Sequence, residues 1–82
     1  MPHSVVDYFD VGPGYGLVKL STAAIAGSTI DEIDLRGRFQ VTPIFLRRGD
    51  KIILNPQGSE RLGTTDELIV AGPDENLAKM RI

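Results

Sequence analysis

No cysteine and a single histidine, His3, occur among these 82 residues, so neither a disulfide nor a zinc cluster can staple the chain. At this length folding buries only about 60–65% of the surface that the unfolded chain exposes, which leaves a thin core. A homodimer, in which a second copy enlarges that core, is the expected remedy.

The punctuation of the chain by glycine and proline divides it into short pieces. Ser4 to Val11 (SVVDYFDV) mixes apolar and acidic residues without a clean period and reads as a short helix or an extended lead-in. Gly12-Pro13-Gly14-Tyr15-Gly16 is a turn, because its glycines and proline suit turn geometry. It precedes a strand and opens no helix, which excludes it as a dinucleotide-binding loop. Tyr15 to Thr22 (YGLVKLST) predicts a strand, with Val18 and Leu20 alternating around Lys19.

Ser28 and Asp31 are placed as the capping residues of a short helix that carries Ile30 and Ile33 on one face. Asp34 then caps a second turn, Leu35-Arg36-Gly37-Arg38-Phe39. Thr42–Leu46 and Lys51–Leu54 predict a β-hairpin closed through Arg48-Gly49-Asp50, with Pro43 at an edge position or a bulge. Glu67 to Ala71 reads as a buried strand. Asp74 is expected to cap a terminal helix over Glu75–Met80, with Leu77 and Met80 inward. The expected fold is α+β: one small two-layer β-α-β-β-β-α domain, its sheet mixed or antiparallel, its helices short. The domain occupies 1–82, with its core over about 15–80.

The formal net charge of −2 lacks the basic excess of a nucleic-acid binder. No apolar run approaches the roughly 20 residues of a membrane span. Met1-Pro2-His3-Ser4 shows no signal-peptide character, so a cytoplasmic location is expected. Without cysteine or a placed histidine, nucleophile-and-base constellations are missing, and no enzymatic activity or metal cofactor is expected. Charge is nonetheless uneven. Arg36, Arg38, Arg47, Arg48 and Lys51 fall between positions 36 and 51 against the single acid Asp50. If the helical turn packs beside the hairpin, its arginines can converge on an anion, since the guanidinium fork matches phosphate oxygens. The alternative is a solvated basic face.

Gly27-Ser28-Thr29-Ile30, Ile33, Leu35-Arg36 and Phe39 resemble the stretch that opens the core of the TrkA C-terminal domain, also called the RCK C-terminal domain. Val41 to Leu46 with Arg47-Arg48-Gly49 resembles its next strand and turn. Pro56, Leu62, Asp66, Leu68, Val70, Gly72 and Leu77 resemble its closing strand and helix. The resemblance implies a homodimeric module that regulates a membrane potassium channel, transporter or antiporter, and which usually accompanies a Rossmann domain. It also implies a cyclic di-AMP site at the dimer interface. Carried over residue by residue, that site comprises Ile30, Asp34, Arg36, Val41, Thr42 and Pro43. Arg36 suits a phosphate and the aliphatic positions a purine face. Thr42 and Pro43 depart from the residues usual in cyclic di-AMP binders. The rival reading is a purely structural dimerisation module of a transporter or transcription regulator, without a small-molecule ligand.

Overall fold

The computed structural model describes residues 4–80, and His3 lies outside them. Val5–Gly12 is strand β1 and Tyr15–Ser21 is strand β2, joined across Pro13-Gly14 into a hairpin. A single 3-10 turn over Ala23–Ile25 leads to helices α1 (Ile30–Ile33) and α2 (Leu35–Phe39). Strands β3 (Thr42–Arg48), β4 (Lys51–Leu54) and β5 (Glu67–Pro73) follow, and helix α3 (Asp74–Ala78) ends the series. The five strands lie in the order β1-β2-β5-β3-β4, every neighbouring pair antiparallel.

The α+β class is as expected, but there is one strand more. The acidic lead-in is β1, an edge strand. Its apolar residues lack a clean period because the ladder shifts register between Val5 and Asp7 and between Asp10 and Gly12. Each shift inserts a residue and resets the two-residue alternation. The β3–β4 hairpin turns through Gly49-Asp50, and Gly49 takes the positive φ of 61° that such a tight loop needs. Pro43 sits where the β3–β5 ladder shifts, between Pro43 and Phe45, as a residue without an amide requires.

Two helix caps differ from expectation. Thr29, not Ser28, caps α1: its hydroxyl accepts from Glu32 N at 3.2 Å, while Glu32 Oε1 accepts from Thr29 N at 2.7 Å. This reciprocal pair displaces Ser28 and Asp31 by one residue, because threonine with glutamate three positions on closes the box better than serine with the shorter aspartate. Pro73 occupies the cap position of α3 without a side-chain bond, so Asp74 is its first residue. The Asp74 carboxylate instead accepts from Tyr8 Oη at 2.6 Å, tying α3 to the edge strand. That bond, with the negative charge of Asp74 and burial, pushes the Tyr8 phenol up to about 12.

One sheet face is covered. Val18, Leu20, Leu46, Leu68 and Val70 project from it against Ile30, Ile33, Leu35, Val41, Leu62, Leu77 and Met80. The 55–66 segment closes this layer and is itself held at its end. Arg48 Nε donates to both Asp66 oxygens (3.2 and 3.3 Å) and Nη2 donates to Oδ2 at 2.8 Å. Its other donors reach Glu60 Oε2 (3.3 Å) and the Arg61 carbonyl (2.9 Å). Hydrogen bonding from Arg48 holds the buried Asp66 carboxyl below its ordinary range, aided by Gly63 N–H at 2.7 Å and opposed by burial.

Candidate functional site

Asp34 is the pivot of the site. Its backbone N–H donates to the Ile30 carbonyl at 3.2 Å and so ends α1; its side chain accepts from Gly37 N at 3.2 Å and so starts α2. Serving both helices fixes it in the left-handed region, at φ 53° and ψ 51°. For a residue other than glycine this conformation is uncommon, and aspartate tolerates it better than most. Gly37 makes the cap possible: a Cβ there would lie 2.5 Å from Asp34 Oδ2.

The bend opens a shallow cleft between the helix pair and the start of β3, lined by Ile30, Asp31, Asp34, Leu35, Arg36 and Pro43. Four of the six residues expected of a ligand site, Ile30, Asp34, Arg36 and Pro43, therefore meet along one wall. Val41 does not join them. It is 1% exposed in the core and packs against Gly72, where an added Cβ would lie 2.8 Å from Val41 Cγ1. Thr42 is exposed at the start of β3 and outside the lining. Asp31 and Leu35 line the cleft without having been singled out for it. Their signal was helical spacing, since Ile30, Asp31, Asp34 and Leu35 are three to five positions apart on a bent helix pair.

The structure disperses the basic cluster. Arg38 stacks over the Phe39 ring at 4.9 Å and donates to the Ile33 carbonyl at 3.3 Å. Arg47 pairs with Glu67 at 3.5 Å, and Arg48 is spent on Asp66 and Glu60. The sequence places these arginines close together, but β3 carries its pair away from α2 and against acids brought in from the 60s. Arg36 is the exception. Among the described residues no carboxylate pairs with it, and its guanidinium stands at the cleft.

The cleft holds about 50 Å³, far below the several hundred of a pocket that encloses a drug-sized ligand on its own. A nucleotide seated here needs a second wall. The charges sort ligands as well. A bare inorganic anion would meet two carboxylates, Asp31 and Asp34, beside one guanidinium. A ligand bearing both a phosphate and N–H or O–H donors satisfies both kinds of group.

The family model of the TrkA-C domain matches residues 17–81. The Ktr system potassium uptake protein C of Bacillus subtilis is 26% identical over 78 residues, which are 94% of this chain and 35% of that protein. An uncharacterized transporter of Synechocystis is 37% identical over 57 residues, 70% of this chain and 9% of that one. The chain thus spans about a third or less of these relatives. The RCK C domain of the potassium transport protein KtrA, solved in complex with cyclic di-AMP, superposes with a TM-score of 0.71 at 31% identity. It covers 77% of this chain, and 75% of its own. The GsuK RCK domain gives 0.70 at 25% identity, covering 79% of this chain and 15% of its own.

Proposed function

The chain belongs to the TrkA-C domain family, and on that premise we propose that it is a non-catalytic regulatory module of a potassium transport system. It acts in the cytoplasm beside a membrane channel, transporter or antiporter, and binds an anionic nucleotide between two protomers. Cyclic di-AMP is the leading candidate, the ligand of the KtrA domain that superposes on this chain. The observation that carries the reading is Arg36, an unpaired guanidinium beside the apolar walls of Ile30 and Pro43. The guanidinium suits a phosphate, the apolar walls a purine, and Asp31 and Asp34 its exocyclic amine or sugar hydroxyls. Two copies of the cleft face to face supply the volume that one lacks. Regulation then follows from differential affinity: a ligand that fits one arrangement of the pair better than another shifts the dimer toward it. Among the described residues no helix is long and apolar enough to cross a membrane.

Calorimetry with cyclic di-AMP tests this. A charge-assisted contact contributes about 1.5–3 kcal/mol, so Arg36→Ala should weaken binding roughly 10- to 150-fold. Arg38→Ala, whose guanidinium is already engaged by Phe39 and Ile33, should change affinity little. Inorganic phosphate should give no heat. Absence of heat and of a thermal shift with every purine dinucleotide would leave the structural dimerisation module as the better reading. Binding indifferent to Arg36→Ala would move the site elsewhere.

A further inference from the structure

The helices and the 55–66 segment cover one face of the sheet and leave the other bare. Register identifies that second face, because directly opposed residues project to the same side. Phe9 pairs with Leu17 and Asp7 with Lys19; Lys19 pairs with Ile69, Ile69 with Phe45, and Phe45 with Leu54. In the next row Glu67 pairs with Arg47 and Arg47 with Ile52. None of these belongs to the main core, although Ile69 at its centre is 7% exposed. The outer members stand in solvent: Phe9 is 47%, Ile52 49% and Leu54 74% exposed.

We propose that this bare face is an interface between copies of this chain, two sheets packing face to face, on the side of the sheet opposite the Arg36 cleft. The occupant is argued from charge and size. The face carries one acid–base pair at each of two positions, Asp7 opposite Lys19 and Arg47 bonded to Glu67. It therefore presents no net charge to an identical face. A partner of strong single sign would find nothing here to recognise. Five strands spaced about 4.8 Å apart and about seven residues long span a face of about 550 Å². Two such faces bury about 1,100 Å², just above the roughly 1,000 Å² that a specific interface needs. Aromatic and branched side chains on a twisted sheet interdigitate in this way in two-sheet sandwiches. Because the surface is its own complement, the contact is two-fold and closed. Combined with the cleft contact, which lies on the opposite layer, it makes a dimer of dimers. The inference does not depend on the ligand.

The test compares the wild-type chain with Ile52→Glu/Leu54→Glu by sedimentation velocity from about 1 to about 100 µM, the range in which modest interfaces dissociate. Both side chains are at least half exposed or nearly so, and circular dichroism checks that the variant folds. At the upper end the wild type should have about twice the mass of the variant, tetramer against dimer or dimer against monomer. In parallel, dilution of the wild type should shift the amide resonances of Phe9, Leu17, Phe45 and Ile52. Equal masses throughout, or dilution shifts confined to the Arg36 cleft, would overturn the proposal. So would a wild-type chain that stays monomeric at the highest concentration.

Discussion

Replacing Arg48 by alanine should destabilise the domain far more than the same change at its neighbour Arg47. Arg48 makes three contacts of 2.8 to 3.3 Å to Asp66, whose side chain is 4% exposed, and two further bonds to Glu60 and the Arg61 carbonyl. Removing one partner of a fully buried pair costs about 3–5 kcal/mol, because the other charge is stranded. An exposed pair is worth at most about 1 kcal/mol. Arg48 is 41% exposed, so solvent still reaches its side of the pair, and the expected loss is intermediate. About 2–3 kcal/mol follows from those two limits, or a fall in melting temperature of about 8–20 °C for a domain of this size. Arg47 makes one 3.5 Å contact with 52% and 33% exposure of the two partners, and Arg47→Ala should cost under about 0.5 kcal/mol. Thermal and urea unfolding of the two variants side by side decide the matter. The sign of the pH effect follows from the depressed carboxyl of Asp66. Its stabilisation is present above the unfolded value of about 3.9 and is lost as pH falls through the lower folded value. Asp66→Asn should lower stability at neutral pH and flatten the acid limb. Equal, small effects of Arg48→Ala and Arg47→Ala would refute the claim that this pair locks the 55–66 segment against the sheet.

Two further outcomes are expected. Asp34→Ala removes a cap bond worth about 1 kcal/mol and strains the left-handed position by about as much, so urea unfolding should show a loss of about 2 kcal/mol. Asp34→Gly, free of the strain, should lose less; equal losses would mean that the φ of 53° stores none. In a Tyr15→Phe chain, absorbance should titrate Tyr8 near 12, and Asp74→Asn should return it toward 10. Because the folded value is the raised one, the stabilisation from this bond is complete below about pH 10 and is lost as pH rises through about 12. An unmoved midpoint on Asp74→Asn would deny that the hydrogen bond causes the shift.

What was legible in the sequence was whatever short-range chemistry decides. The β3–β4 hairpin, the bulge at Pro43 and the double role of Asp34 at two helix turns each follow from residues within a few positions of one another. The β1 strand was not, because bulges break its alternation and its pairing with β2 supplies the order its sequence lacks. The site divides along the same line. Ile30, Asp34 and Arg36 reach the cleft through local helical geometry, and Pro43 reaches it because the β3 bulge begins there. Val41, one residue before β3, is taken by the core. The fates of the other arginines were hidden for a different reason. Arg48 lies 18 residues from Asp66 and Arg47 20 from Glu67, and only the antiparallel pairing of β3 with β5 brings those partners together. A cluster of five basic residues in the sequence thus resolves into internal clamps and one unpaired guanidinium. Arg36 stays unpaired because α2 is too short to carry an acid one turn away, and because β3 leads away from it toward the acids of the 60s. The same topology that consumes its neighbours leaves Arg36 available to a phosphate.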